Sequence, residues 1–180
     1  MKALLILDIQ KDFTLPNGRF PVDSVQACQV IIDINALVIN RSSFDIVPVY
    51  IGNEFSLYDP RNLFRNFCSI KGTEGCAIDD RLKVVNNNYF SKGSSDAFTN
   101  HNLGAFLRKN KIDEVYLAGL YAESCVLATA RSAKLQGFKV SVLIDCIATS
   151  TGQKREKVIK KYTKAQIDII STAILISQIS

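Results

Sequence analysis

The sequence predicts an α/β fold in which a mostly parallel sheet is covered by helices on both faces. Short runs of β-branched and aliphatic residues are apolar throughout rather than alternating, as in strands buried on both sides. Those runs take turns with segments whose apolar residues recur at helical spacing, and parallel strands need such crossover helices. With 180 residues, 47% of them hydrophobic and 22% charged, the chain fits one domain spanning 1–180. Its core is large enough to need neither disulfides nor a structural metal.

In chain order, Ala3–Ile9 reads as the first strand, its apolar run interrupted by Asp8. Ser24–Val38 reads as a helix capped by Asp23 or Ser24, with Val25, Cys28, Ile31, Ile32 and Leu37 at helical spacing. Ile46–Ile51 is the second strand. Segment 52–98 then breaks the rhythm with the turn-prone pairs Asp59-Pro60, Lys71-Gly72 and Glu74-Gly75, so irregular chain is expected to lie over a sheet edge and wall a pocket. Leu103–Lys109 is a shorter helix and Val115–Gly119 a strand. Cys125–Leu135 is a helix ending at Gly137, a residue suited to the left-handed position that follows a helix. Val140–Ile144, the amphipathic Lys154–Ala165, a last strand Ile167–Ser171 and a terminal helix Thr172–Ile179 complete the order. Ligands of such a sheet bind beyond the C-terminal ends of its strands.

Charge and cysteines narrow the function classes. Net charge is +5, and segment 154–164 holds Lys154, Arg155, Lys157, Lys160, Lys161 and Lys164 against Glu156 alone. Lys154, Lys157, Lys161 and Lys164 share one helical face, and without interleaved aromatics they read as a solvated face rather than a nucleic-acid contact. The five cysteines are odd in number and lack any C-x-x-C pair, so a disulfide frame or cysteine zinc site is not expected and a reducing, cytoplasmic setting fits. Cys28 and Cys146 read as small core residues. No apolar run approaches a membrane span, and Asp8 and Asp12 argue against a signal peptide.

Three residues stand where chemistry is expected. Asp8 follows an apolar strand directly, which puts its carboxylate at the C-terminal sheet edge; the plain alternative is a polar strand end. Cys125 follows Val115–Gly119 across the loop Leu120-Tyr-Ala-Glu-Ser124 and opens a helix, where free N–H groups favour a thiolate and can bind an oxyanion. Lys92, in Phe90-Ser-Lys-Gly-Ser-Ser-Asp-Ala-Phe98, lies in the irregular region; it can hold its charge beside Cys125 while Asp8 takes and returns a proton, or it is a surface lysine. His101, the only histidine, is the one base open to a Cys–His pair, or a solvated residue at a helix start. No dinucleotide or phosphate-loop motif and no histidine pair is present.

With their settings, these residues resemble the isochorismatase-like cysteine hydrolases, which include nicotinamidases, N-carbamoyl amide hydrolases and isochorismatases. Leu7-Asp-Ile-Gln-Lys-Asp-Phe13 resembles the family's opening aspartate strand, Lys92 with Phe98 and Leu103 its lysine segment, and Gly119-Leu-Tyr-Ala-Glu-Ser-Cys-Val126 its nucleophile turn. The resemblance implies a three-layer α/β/α sandwich with a six-stranded sheet and a triad of Asp8, Lys92 and Cys125 acting on a small amide or carbamoyl compound. It further implies a cis peptide at Leu120–Tyr121, an oxyanion hole from the Tyr121 and Cys125 N–H groups, a pocket walled by Gln10, Phe13, Leu120 and Tyr121, and a homo-oligomer. Phe67-Cys-Ser-Ile-Lys-Gly-Thr-Glu-Gly75 resembles the nicotinamidase branch, whose metal is held by an Asp-x-His pair and a further histidine. Here Glu54-Phe55-Ser56 aligns with the pair and Phe67 with the other histidine, which leaves Glu54 as the sole possible ligand. The expected activity is therefore amide hydrolysis without metal or other cofactor; a nicotinamidase with a degenerate metal site and a non-catalytic binding protein on the same fold are the alternatives.

Overall fold

The computed structural model describes residues 1–151 and 154–177. Six strands, β1 (Lys2–Leu7), β2 (Ile46–Asn53), β3 (Tyr89–Lys92), β4 (Glu114–Gly119), β5 (Lys139–Ile147) and β6 (Asp168–Ile170), form one sheet in the order β3-β2-β1-β4-β5-β6. Every pairing is parallel. The helices are α1 (Lys11–Thr14), α2 (Ser24–Ile39), α3 (Arg41–Phe44), α4 (His101–Lys109), α5 (Leu127–Leu135), α6 (Arg155–Lys164) and α7 (Thr172–Ser177).

Two apolar cores explain the continuous runs in the sequence. Along β1, Leu4 and Ile6 join the core that α2 and Leu175 of α7 cover, while Ala3, Leu5 and Leu7 join the core under α4, α5 and α6. Because side chains of a strand alternate between faces, a sheet covered twice wants apolar residues at every position. The three-layer sandwich follows.

Several sequence expectations shift. The buried face of α2 is Ala27, Val30, Ile31, Ile34, Leu37 and Val38, whereas Val25 and Ile32 point outward. Cys28 is exposed rather than a core residue: the helix offers two apolar stripes, and the one nearer Ala27 and Ile34 meets the sheet. Cys146 is buried as expected. Lys92 does not lie in irregular chain but closes β3, a four-residue edge strand too short and too exposed at Tyr89 to leave an apolar run. Cys125 does not open α5; it sits in a wide turn, Ala122–Val126, that precedes it. The lysines at 154, 157, 161 and 164 are exposed, while Val158 and Tyr162 bury the other face of α6. Residues 178 and 179 of the expected terminal helix lie outside the described residues. Among the described residues no helix is long and apolar enough to cross a membrane.

The strand order reverses between β1 and β4, and both strands end beside Gly119. Leu7 is in register with Ile51 on one side and Gly119 on the other. Gly119 has φ 114, and a Cβ there would stand 2.0 Å from the Leu7 carbonyl oxygen. Only glycine lets the two strand ends approach this closely. Gly119→Ala is expected to cost roughly 2–4 kcal/mol in urea unfolding, the range of a backbone clash added to a strained φ. Gly72→Ala, at φ 82 with open space around it, is the control and should cost only the φ term.

Candidate active site

Four adjacent strand ends supply the polar groups. Asp8 is the first residue past β1, Asn53 closes β2, Lys92 closes β3 in register with Asn53, and Cys125 lies in the turn after β4. Asp8 has φ 58, a conformation that costs a non-glycine residue on the order of 1 kcal/mol or more, and its N–H donates to the Ile51 carbonyl at 2.8 Å. The bend turns the carboxylate in over the sheet edge.

The Lys92 ammonium is the centre of the cluster. It donates to Asp8 Oδ2 at 2.9 Å, Asn53 Oδ1 at 2.8 Å and the Ser94 carbonyl at 3.0 Å, with Cys125 Sγ at 3.4 Å. Neither the lysine nor the aspartate side chain of this pair has exposed surface. Asp8 Oδ1 is also buried and accepts no well-formed hydrogen bond among the described residues. An acceptor of this kind, beside a thiol, is placed to receive a proton.

Burial and charge set the ionisation of the cluster. Burial pulls the Lys92 ammonium down, but the charges of Asp8 and Cys125 and the hydrogen bonds to them outweigh it, so Lys92 titrates above its ordinary range. The Cys125 thiol is pushed up to about 11 by burial and the Asp8 charge, with Lys92 pulling the other way. Burial and the neighbouring carboxylate thus work against the thiolate that the sequence reading favoured, and Lys92 works for it.

The nucleophile turn is anchored at both ends. Leu120 N–H donates to the Leu7 carbonyl at 2.9 Å and Ala122 N–H to the Ala148 carbonyl at 2.9 Å, while Tyr162 Oη donates to the Ala122 carbonyl at 2.6 Å. The Leu120–Tyr121 peptide is cis. Leu120 is packed into the core, and Tyr121 meets Phe13 edge-on at 5.7 Å and Phe20 at 5.9 Å, its hydroxyl bonded to the Phe20 carbonyl. Gln10 ties the end of β2 to the segment beyond it. Its carboxamide accepts from Asn53 N–H at 2.8 Å and donates to the carbonyls of Asn53 at 2.8 Å and Cys76 at 2.6 Å.

The structure therefore brings Asp8, Lys92 and Cys125 together and leaves His101 apart: it opens α4, is exposed, and has no hydrogen bond to Cys125 among the described residues. The sequence reading missed Asn53, which carries no motif; only the parallel register of β2 and β3 puts it against Lys92.

The isochorismatase domain family matches residues 2–174. The chain belongs to the isochorismatase family of hydrolases. An isochorismatase-like hydrolase from Alkaliphilus metalliredigens shares the fold with a TM-score of 0.91 at 23% identity, over 99% of each chain. The nicotinamidase/pyrazinamidase PncA from Bacillus subtilis gives 0.82 at 26% identity, over 94% of this chain and 99% of that one. A nicotinamidase of Acinetobacter baylyi is 26% identical over 176 residues, 79% of each chain.

The donor set around Glu54 does not fit the metal of the nicotinamidase branch. Glu54 Oε1 accepts from Tyr89 Oη at 3.1 Å and Oε2 faces the exposed Lys71 ammonium at 3.5 Å, so the carboxylate's neighbours are a phenol and a cation and not further metal ligands. Phe55 is buried and Phe67 offers no donor atom. No group of three His, Cys, Asp or Glu residues suited to a metal occurs among the described residues.

The opposing effects of Asp8 and Lys92 on Cys125 are separable. Lys92→Met should raise the pH midpoint for alkylation of Cys125, and Asp8→Asn should lower it, as followed by mass spectrometry at each cysteine.

Proposed function

We propose that this isochorismatase-family hydrolase cleaves the C–N bond of a small amide or carbamoyl compound through an acyl-enzyme on Cys125, without a metal. The observation that carries the reading is the Lys92 ammonium standing 2.9 Å from Asp8 and 3.4 Å from Cys125 in a buried site. Asp8 Oδ1 takes the thiol proton as Sγ attacks the carbonyl carbon, and Lys92 stabilises the thiolate as it forms. The carbonyl oxygen becomes an oxyanion, which the N–H groups of Tyr121 and Cys125 receive. Collapse breaks the C–N bond, the nitrogen leaves as ammonia or an amine with the proton from Asp8, and a thioester remains. Asp8 then accepts a proton from water as its oxygen attacks the thioester, releasing the acid and restoring the thiol.

A thiol pushed up by burial suits this sequence. It stays neutral until a substrate brings the carbonyl to Sγ, and the proton then needs to travel only to the neighbouring carboxylate. Phe13 and Tyr121, whose rings meet edge-on beside the nucleophile turn, are the aromatic wall of this reading, which suits a flat or compact amide, while Leu120 backs them from the core. The nicotinamidase relatives support an amide as substrate, while the Glu54–Lys71 pair favours one that needs no metal to orient it. A homo-oligomeric, cytoplasmic enzyme with a small-molecule substrate and no nucleic-acid or membrane partner completes the reading.

Ammonia release from a panel of small amides, nicotinamide included, tests it. Cys125→Ala should lower turnover by about a thousandfold or more, the scale of losing a covalent nucleophile. Added zinc or a chelator should leave the wild-type rate unchanged. Full activity in Cys125→Ala overturns the mechanism, and loss of activity on chelation overturns its metal independence.

A further inference from the structure

Lysine has three N–H donors and no acceptor. In this site all three are matched by oxygens, at 2.8 Å from Asn53, 2.9 Å from Asp8 and 3.0 Å from Ser94, and Cys125 Sγ stands fourth at 3.4 Å. The shortest contact comes from a neutral carboxamide rather than from the carboxylate. Asn53 is itself 4% exposed and held from behind, because Gln10 grips both its N–H and its carbonyl oxygen at 2.8 Å. Gln10 is in turn tied to the Cys76 carbonyl, so the clamp extends from the segment crossing the pocket to the ammonium.

We propose that Asn53 is a positioning residue: its carboxamide oxygen fixes the Lys92 ammonium between Asp8 and Cys125 without adding charge, and Gln10 locks Asn53 in place. The inference rests on Cys125 being the nucleophile and Lys92 its electrostatic partner. Its physical content is a distinction between an acceptor and a charge. One ammonium faces one carboxylate here, and a second carboxylate at position 53 would fill the same space while tipping that balance against the thiolate. Removing the oxygen altogether frees one N–H of Lys92, and the next acceptor within reach is Sγ. Asn53→Asp and Asn53→Ala therefore act in opposite directions on Cys125. The other groups bearing on that thiol are Asp8 and Lys92, with Tyr121 as its titratable neighbour, and both variants leave them in place.

The experiment is alkylation of the full chain by iodoacetamide across pH, read at each cysteine by mass spectrometry, with exposed Cys28 as internal control. Asn53→Asp is expected to slow Cys125 about tenfold at a fixed pH below its midpoint, equivalent to an upward shift of about one pH unit. Asn53→Ala is expected to move the midpoint down, and Cys28 should be unchanged in both. A residue with only a packing role would move both variants the same way or neither. Folded Asn53→Asp with the wild-type midpoint, or a rise in Asn53→Ala, overturns the inference. Should Asn53→Asp fail to fold by thermal melt, the direction in Asn53→Ala decides alone: a fall supports the inference, and a rise or no change overturns it. Failure of the underlying mechanism looks different, since Cys125→Ala would then keep its amidase activity whatever the Asn53 variants do.

Discussion

An ammonium and a carboxylate 2.9 Å apart, neither with exposed side-chain surface, are stable only if the surrounding chain satisfies what water no longer can. Burying two charges costs several kcal/mol each before their attraction is counted, and removing one partner of such a pair typically costs about 3–5 kcal/mol. The Lys92–Asp8 pair thus constrains everything near the C-terminal edge of the sheet. Asp8 must leave β1 through a left-handed bend, β3 must pair with β2 in the register that sets Lys92 beside Asn53, and the turn after β4 must bring Sγ to the same ammonium.

The segment between β2 and β3 is tied down by a second buried carboxylate. Asp12 accepts from Ser69 N–H at 2.7 Å and Arg19 N–H at 3.2 Å, and a Cβ at Gly75 would stand 2.3 Å from its carboxyl group. Residues 67–75 are thereby pinned to the start of the chain, and with them the Cys76 carbonyl to which Gln10 is tied. Farther along the same segment, Asp79 is held near 2 against burial by Arg81 and Thr14. Its charged form is worth most above the ordinary carboxylate range, and that stabilisation is lost as pH falls from about 4 toward 2. Two hydrogen-bonded carboxylates, together with the isolated bridges Gln10–Ile78 and Phe55–Ile70, therefore hold this irregular chain.

Ionisation in the site runs against a simple expectation. A cysteine near a helix start and a lysine suggests a stored thiolate, yet burial and Asp8 push the thiol up, against the pull of Lys92. The wide helical turn Ala122–Val126 leads straight into α5, so Cys125 stands within the first turn of one continuous helical run. In the proposed mechanism the substrate gates reactivity: the proton moves from Sγ to Asp8 when an electrophilic carbonyl makes the thiolate worth forming. Lys92 works against burial and Asp8 on that thiol, and in the same mechanism it keeps the step accessible.

Local patterns carried a good part of this protein. Continuous apolar runs identified four of the six strands, because a doubly covered sheet favours apolar residues at nearly every position; β6 was read from the shorter Ile167–Ser171, which Asp168 interrupts. The aspartate past β1 and the cysteine past β4 were visible because strand ends are written in the chain itself. β3 escaped because a four-residue edge strand buries too little to shape its composition, and the exposed stripe of α2, with Cys28, was indistinguishable from the buried one until the sheet chose between them. Asn53, and the contacts that Gln10 makes, escaped for a deeper reason. Their significance lies in contacts across 39 and 43 residues of chain, and an amide looks the same in sequence whether it faces water or an ammonium. Sequence alone determined which chemical groups were on hand and that they fall at strand ends; the tertiary structure decided their ionisation and their partners, because burial and register are properties of neighbours that meet only after the sheet has formed.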